Sequence, residues 1–243
     1  MMQTAAAPCS LLEWDSDFFG FPIAQLTQPV LSREVVPAVL DWCQEQNIRC
    51  LYFLADATSA ETAETAQSVG FSMVDVRVEL SWSIKEGTIT AAPPGGLRAV
   101  RDADIGALET IARAAHTDSR FFFDSRFGKE HAANLFATWI ATDCGGRADK
   151  VLVVDGSDTR AVGYISCYSK AGANRISLIG VANEFRGRGL GQALVAGGLG
   201  WFRSVGAETV SVITQMRNVA AQRLYQAAGF RTANVKVWYH RWF

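Results

Sequence analysis

Apolar and polar residues follow helical and strand-like spacing in turn along the chain, which predicts an α/β protein. Near the N-terminus, helical spacing over 33–46 is followed by the apolar run CLYFLAD, a second helix-like segment at 58–69 and the alternating segment VDVRVELSW. Apolar residues three or four apart indicate an amphipathic helix, whereas strict alternation indicates a half-buried strand. We therefore expect a small N-terminal α/β domain over residues 1–90.

A stretch rich in proline and glycine, AAPPGG at 91–96, separates this part from the rest of the chain. Adjacent prolines and glycines interrupt both helices and strands. After it, the spacing predicts a strand, two helices, three strands, a helix, a strand, a helix and a final strand. We therefore expect a second domain over residues 97–243.

Two segments of the chain resemble each other. QSVGFSMVDVRVELSW, in the first domain, and QAAGFRTANVKVWYHRW, at the C-terminus, both pass from a helix end through Gly-Phe into an alternating strand. Gly70 and Gly229 are predicted to end their helices in the left-handed conformation. Either many helix-to-strand turns share this pattern, or the first domain is a half-copy of the second. In a half-copy, Ala66 stands at the position of Tyr225.

The composition is that of a folded globular protein with little net charge. Of the 243 residues, 49% are hydrophobic and 19% are charged, and the formal net charge is −1. The lack of a basic run argues against nucleic-acid binding, and no apolar run approaches the ~18 residues of a membrane span. Five cysteines without a CxxC pair and three scattered histidines predict reduced thiols and no metal site. A cytoplasmic protein is expected.

The stretch NEFRGRGLGQAL, at 183–194, carries the clearest chemistry. It follows the apolar run ISLIGV and leads into a predicted helix. A helix N-terminus presents unpaired N–H groups and a partial positive charge, and glycines let an oxyanion approach the backbone. The alternative is a turn that only caps the helix. The predicted phosphate or pyrophosphate site consists of Arg186, Gly187, Arg188, Gly189, Leu190 and Gly191.

The spacing of these residues excludes two other nucleotide motifs. A P-loop has Lys and then Ser or Thr after its last glycine, and this turn does not. The dinucleotide fingerprint has different glycine spacing and an acid at the end of the next strand, where this chain has ITQMRN. A nicotinamide-dependent enzyme is therefore disfavoured.

The turn resembles the acetyl-CoA motif of the Gcn5-related N-acetyltransferases (GNAT), R/Q-x-x-G-x-G/A, through Arg186, Gly189 and Gly191. The strand order of the second domain is also similar to that fold, a mixed and mostly antiparallel sheet flanked by helices. The resemblance implies that the anion is the pyrophosphate of acetyl-CoA. It further implies that the preceding strand separates from its neighbour and pairs with the pantetheine arm near Ile179 and Val181.

The segment NVAAQRLYQAAGF resembles the next motif of the same family. Asn218 is a favourable N-cap, and Tyr225 lies two helical turns further on the same face. A phenol with a pKa of about 10 is protonated at pH 7 and can donate its proton. The resemblance implies that Tyr225 protonates the leaving thiolate and that Asn218 contacts pantetheine. The alternatives are a core tyrosine and a plain helix cap.

The stretch HTDSRFFFDSRFGKEHAANLFATWI, at 116–140, is the candidate acceptor-binding loop. Its arginines could bind a diphosphate, its phenylalanines could stack on a base, and Asp118 or Asp124 could hold an ammonium. Alternatively, Asp124 or Ser125 caps the next helix and the phenylalanines anchor the loop to the core. The predicted substrate-binding residues are Arg120, Phe121 and Asp124.

This loop is similar to the Ser-Arg-Phe-x-x-Asp loop of TDP-fucosamine acetyltransferases, and LEWDSDFFGFPIAQL resembles their N-terminal segment. The resemblance implies acetylation of the 4-amino group of dTDP-4-amino-4,6-dideoxygalactose, a small-molecule acceptor used in surface polysaccharide biosynthesis. The amine is expected to attack the thioester directly, and His116 is one candidate for the base. Alternatives are acetylation of another small amine and a non-catalytic acyl-CoA sensor. The oligomeric state is open, with a homodimer as one option.

Overall fold

The protein is represented by a computed structural model, which describes residues 7–84, 96–157, 159–170 and 172–243. The chain forms two compact units: one extends to Arg77 and includes Val235–Phe243, and the other is Val78–Asn234. Because the last strand returns to the first unit, the units differ from the consecutive ranges 1–90 and 97–243. That division into domains stays a prediction, and AAPPGG, apart from Gly96, lies outside the described residues.

The first unit is an α/β arrangement in which β1 and β2 are antiparallel, β2 and β3 are parallel, and β3 and β10 are antiparallel. Its core includes Phe53, Phe71 and Tyr239. The spacing had predicted β3 with the same bounds, but not the short β1 and α1. The elements are β1 (Cys9–Leu11), α1 (Glu13–Phe19), β2 (Ile23–Leu26), α2 (Val36–Glu45), β3 (Cys50–Asp56), α3 (Ala60–Ser68), the start of β4 (Ser72–Ser83) and the end of β10 (Arg231–Trp242).

The second unit contains a mixed sheet in which β5, β6, β7 and β8 are successively antiparallel and β8 is parallel to β9. This mostly antiparallel sheet, flanked by helices, confirms the predicted fold class. Its elements are β5 (Leu97–Ala99), α4 (Ile105–Ala115), α5 (Arg120–Phe123), α6 (Lys129–Thr142), β6 (Lys150–Asp155), β7 (Ala161–Lys170), β8 (Ala173–Val181), α7 (Leu190–Ser204), β9 (Thr209–Gln215) and α8 (Val219–Ala227).

Strand β7 is central to the second unit, because its residues from Ala161 to Tyr168 are all buried. Helix α7 packs on one face of the sheet through a stripe that includes Leu194, Leu199 and Phe202. Gly198 permits this close packing, since a Cβ there would lie 3.0 Å from Ile165 Cδ1. The glycine turn that precedes α7 is thereby held at the end of β8.

The two similar sequence segments adopt the same local structure. Strand, helix and strand have 7, 9 and 12 residues in β3-α3-β4 and again in β9-α8-β10. Gly70 and Gly229 have φ of +86° and +90°, which confirms the predicted left-handed helix ends. The amide of the following Phe donates to the carbonyl of Ala66 at 2.9 Å and of Tyr225 at 3.0 Å. These two β-α-β segments are called the internal repeat below.

A charged cluster ties the start of the second unit together. The Arg98 guanidinium donates to both carboxylate oxygens of Asp104 at 2.6 and 2.9 Å and to those of Asp155 at 2.6 and 2.7 Å. Arg98 holds the pKa of the Asp104 carboxyl below its usual value through these hydrogen bonds, although burial opposes the shift. The cluster joins β5 to β6 and to the turn that starts α4.

We predict that Asp104→Asn lowers the free energy of unfolding at pH 7 by about 1.5–3 kcal/mol, because hydrogen bonds to a charged group are lost. A carboxyl whose pKa is lowered by folding stabilises the fold above the pKa of the unfolded chain, about 3.9. That contribution disappears as the pH falls through the folded-state pKa. Urea unfolding from pH 7 to pH 3 should show the variant converging on the wild type. The exposed Asp102→Asn is the control; an equal effect there would contradict this assignment.

Candidate active site

The site begins where two parallel strands separate. Pairing between the fully described strands β8 and β9 is confined to Arg175 with Ser211 and Ile176 with Val212. Strand β8 nevertheless continues to Val181, so its last residues leave the edge of β9. This is the separation that the sequence resemblance implied. It leaves backbone N–H and C=O groups on β8 facing a gap.

Ser166, which the sequence analysis did not single out, stabilises an irregularity on the opposite edge of β8, close to the point where β8 leaves β9. The β7–β8 register shifts between Ser166 and Cys167, and the fully buried Ser166 hydroxyl accepts a hydrogen bond from Leu178 N at 3.1 Å. A register shift leaves a backbone amide without its strand partner, and a buried amide needs one. The serine side chain therefore supplies the partner that the sheet no longer provides.

A cavity of about 330 Å³ occupies the gap. Its wall combines the end of β8, the glycine turn and the first turns of α8, together with two residues near the end of α4. Eight of the ten predicted catalytic and cofactor-binding residues line it, and Arg188 and Tyr225 do not. The lining residues are Ala115, Asp118, Ile179, Gly180, Val181, Phe185, Arg186, Gly187, Gly189, Leu190, Gly191, Asn218, Ala220, Ala221 and Leu224.

The glycine turn has the geometry of an anion site. Gly187 and Gly189 have φ of +75° and +78°, a conformation that costs a residue with a Cβ ~1–2 kcal/mol. The first backbone bond of α7 runs from Ala193 N to Gly189 O at 3.0 Å. The amides before Ala193 therefore open toward the cavity, as at other helix N-termini. The dipole of α7 adds partial positive charge there.

The two arginines of the turn differ in position. Arg186 lines the cavity, and its Nε donates to the Val181 carbonyl at 3.1 Å, which places positive charge beside the glycines. Arg188 turns back instead, donates to the Glu184 carbonyl at 3.0 Å and lies over the Phe185 ring. The structure therefore brings Arg186, but not Arg188, into the cavity wall.

Helix α8 has the predicted cap and a buried tyrosine. Asn218 Oδ1 accepts from Ala221 N at 2.9 Å, which confirms Asn218 as the N-cap. Tyr225 is 3% exposed, packs on Phe230 and follows Leu224, which lines the cavity. Burial, with a smaller effect of Cys167, raises the pKa of Tyr225 above its ordinary value. The phenol stays protonated at neutral pH, as a proton donor must, and its catalytic role stays a prediction.

His116 lies beside the cavity but is poorly suited to act as the base. Its Nε2 is 2.9 Å from the hydroxyl of the fully buried Tyr164, and its ring stacks on Phe136. Burial and the positive charge of Arg186 lower the pKa of His116 to about 4, so the imidazole is neutral and weakly basic. The position of Tyr164 also explains why residue 180 is glycine, because a Cβ there would lie 2.8 Å from the Tyr164 ring.

The acceptor loop differs from its prediction in detail. Phe121 is 4% exposed, packs on Phe127 and Trp139, and has the Arg120 guanidinium over its ring at 4.3 Å. Asp124 is also buried, and its carboxylate accepts from Arg126 N at 3.3 Å as a cap. These contacts match the alternative in which the loop anchors itself, and the substrate-binding roles of Arg120, Phe121 and Asp124 stay predictions.

Other residues of the same loop lie where a substrate can reach them. Asp118 lines the cavity, where it and Arg186 are the ionisable side chains of the described wall. Phe123 is 58% exposed, although it is only two residues from the buried Phe121. The sequence had offered Asp118 as an alternative, and the three adjacent phenylalanines gave no means of choosing the exposed one.

The separated strands and the glycine turn form the cavity that the sequence resemblance implied. Residues 110–230 match the acetyltransferase (GNAT) family model. The chain therefore belongs to the GNAT acetyltransferases and is an enzyme of that family. In the described part of the chain, no helix is long and apolar enough to span a membrane, and no three potential ligands cluster as a metal site.

Similar proteins agree with this assignment. A dTDP-fucosamine acetyltransferase from Escherichia coli O6:H1 is 28% identical over 95% of this chain and 96% of its own length. The spore coat polysaccharide biosynthesis protein SpsD of Bacillus subtilis is 30% identical over 57% of this chain and 48% of its own. A Gcn5-related N-acetyltransferase structure from Sphaerobacter thermophilus aligns with a TM-score of 0.69 at 17% identity, covering 96% of this chain and 76% of that one.

We predict that Gly189→Ala lowers stability by about 1–2 kcal/mol, because the left-handed conformation is unfavourable for alanine. It should also weaken the binding of coenzyme A by moving the amides of the turn. Gly200→Ala, within α7, is the control: its Cβ meets nothing within 4 Å, and the variant should gain about 0.4–1 kcal/mol of stability. Denaturation and calorimetry measure both effects. Equal behaviour of the two variants would show that the turn geometry is not required.

Proposed function

We propose that the protein transfers the acetyl group of acetyl-CoA to the 4-amino group of a dTDP-linked amino-deoxysugar. The observation that carries the proposal is the cavity in which the separated end of β8, the glycine turn and Asp118 meet. The similarity to a dTDP-fucosamine acetyltransferase over 95% of the chain supports this acceptor class. Within this proposal, the product is an acetylated amino sugar for surface polysaccharide synthesis.

The cavity has the groups that acetyl-CoA requires. The glycine turn, the start of α7 and Arg186 would hold the pyrophosphate, because they combine amide donors with positive charge. The backbone of β8 at Ile179 and Val181 would pair with the amides of pantetheine, in place of the absent β9 partner. Asn218 and Leu224 would bound the opposite side of the arm.

The reaction is a direct acyl transfer. The neutral amine attacks the thioester carbonyl, a C–N bond forms, and the C–S bond breaks with its electron pair leaving on sulfur. Tyr225 gives its proton to that thiolate and is reprotonated from solvent. The proton lost by the amine nitrogen passes to solvent or to a base on the acceptor side. A backbone amide of β8 would polarise the carbonyl oxygen.

We predict that the purified protein adds one acetyl group to dTDP-4-amino-4,6-dideoxygalactose when acetyl-CoA is supplied. Mass spectrometry of the sugar nucleotide would detect the added acetyl group, and release of free thiol would match it in amount. If the protein acetylates other amines but not this one, the proposed acceptor is wrong and the protein is still an acetyltransferase. Binding of acetyl-CoA without transfer to any amine would instead support a sensor.

We predict that Tyr225→Phe lowers kcat about 100-fold or more, since a positioned general acid contributes about 10²–10⁴-fold. The affinity for acetyl-CoA should change little, because the phenylalanine ring keeps the packing on Phe230. Calorimetry and steady-state kinetics separate these two effects. Tyr239→Phe, in the core of the first unit, is the matched tyrosine control. Wild-type turnover in Tyr225→Phe would show that Tyr225 is not the general acid.

A further inference from the structure

We infer that the nucleoside diphosphate of the acceptor binds on the stacked pair of Phe123 and Arg217, with the amine directed to Asp118. The inference rests on the proposed function and identifies the acceptor subsite of that same cavity. It assigns different residues from the predicted Arg120 and Phe121, which pack on each other in the structure.

The pair bridges two segments that both reach the cavity. The Arg217 guanidinium lies over the Phe123 ring, with Cζ 4.1 Å from the ring centroid. Phe123 ends α5, in the loop that contains the cavity residue Asp118. Arg217 immediately precedes Asn218, which lines the cavity from the side of α8. The stacked pair therefore lies beside the cavity, next to the acceptor loop.

The surface around this pair is unusually apolar for an exposed turn. Phe123, Met216 and Val219 are 58%, 60% and 50% exposed; Met216 precedes Arg217, and Val219 follows it by two residues. Single exposed apolar residues need no explanation, whereas contiguous ones mark interaction sites. A nucleobase presents a flat π-face that stacks on aromatic and guanidinium groups. The surface suits a base better than it suits a small polar amine.

The charges have the order that an amino sugar nucleotide requires. Such an acceptor is anionic at its diphosphate and cationic at its amino group. A guanidinium stacked on a ring directs its N–H donors sideways, in a plane that matches phosphate oxygens. Asp118, inside the cavity, presents the opposite charge toward the position of the amine. The subsite thus has a cation outside the cavity and a carboxylate within it.

A binding experiment with dTDP alone tests the nucleotide part without requiring turnover. Calorimetry should detect dTDP binding to the wild type and a loss of affinity of about tenfold or more in Arg217→Met, a change equal to about 1.4 kcal/mol. Phe123→Ala should also weaken dTDP, and it leaves the buried loop anchors in place because the ring is exposed. Arg223→Met, on an exposed part of α8, is the matched control and should bind dTDP like the wild type.

Kinetics with two acceptors tests whether the nucleotide lies at Arg217 and the amine at Asp118. Arg217→Met should raise KM for the dTDP-linked amino sugar and leave kcat/KM for the free amino sugar unchanged. Asp118→Asn should lower kcat/KM for both acceptors, because both carry the amine. The affinity for acetyl-CoA should be the same in Arg217→Met as in the wild type, because Arg217 does not line the cavity.

The outcomes distinguish this inference from the proposed function. Undetectable binding of dTDP to the wild type, or equal binding by wild type and Arg217→Met, would overturn the subsite. Equal losses of kcat/KM for the linked and the free sugar in Arg217→Met would also overturn it. Failure of the proposed function looks different: the dTDP-linked amine would gain no acetyl group, while dTDP would still bind in an Arg217-dependent manner.

Discussion

The incomplete pairing of β8 with β9 is the constraint on which the rest of the site depends. A buried backbone must find hydrogen-bond partners, so parting two central strands is costly unless something else supplies them. On the other side of β8, Ser166 supplies a partner for Leu178 N where the β7–β8 register shifts. The remaining edge of β8 faces a cavity that a linear amide-containing substrate would fill as a surrogate strand. The same gap is therefore a local weakness in the sheet and the place where we propose that the co-substrate binds.

The two helices that follow the gap are positioned by close contacts with each other. A Cβ at Gly191 would lie 3.3 Å from Leu224, so the first turn of α7 approaches α8 closely. Asn218 fixes the start of α8 by capping Ala221 N, and Tyr225 follows two turns later in the core. The proposed anion site at the start of α7 and the proposed proton donor on α8 are thus held relative to each other by helix packing. This arrangement suits a reaction that needs the thioester held between them.

Much of the fold and of the glycine turn could be predicted from the sequence, because left-handed glycines, helix caps and strand spacing depend on neighbouring residues. Gly70, Gly229 and Asn218 were predicted on that ground and are confirmed. The acceptor loop was not predictable in the same way. Helix α5 has four residues, too few for an apolar period to show which ring points inward. Packing against Phe127 and Trp139, which the local pattern does not show, accompanies the burial of Phe121, while Phe123 is exposed.

The internal repeat shows why a β-α-β frame alone does not create an active site. In the first unit, Ala66 takes the place of Tyr225, and the segment after β2 forms hydrogen bonds with the end of β3 and with α3. After β2, the Pro29 carbonyl accepts from Asp56 N at 3.0 Å, and Leu31 N donates to Thr62 Oγ1 at 3.1 Å. Thr62 corresponds to Ala221, which lines the cavity of the second unit. The end of β8 leaves backbone groups open to a ligand, whereas the segment after β2 forms hydrogen bonds within the first unit. The same frame therefore serves as a closed structural unit in one case and as an open site in the other.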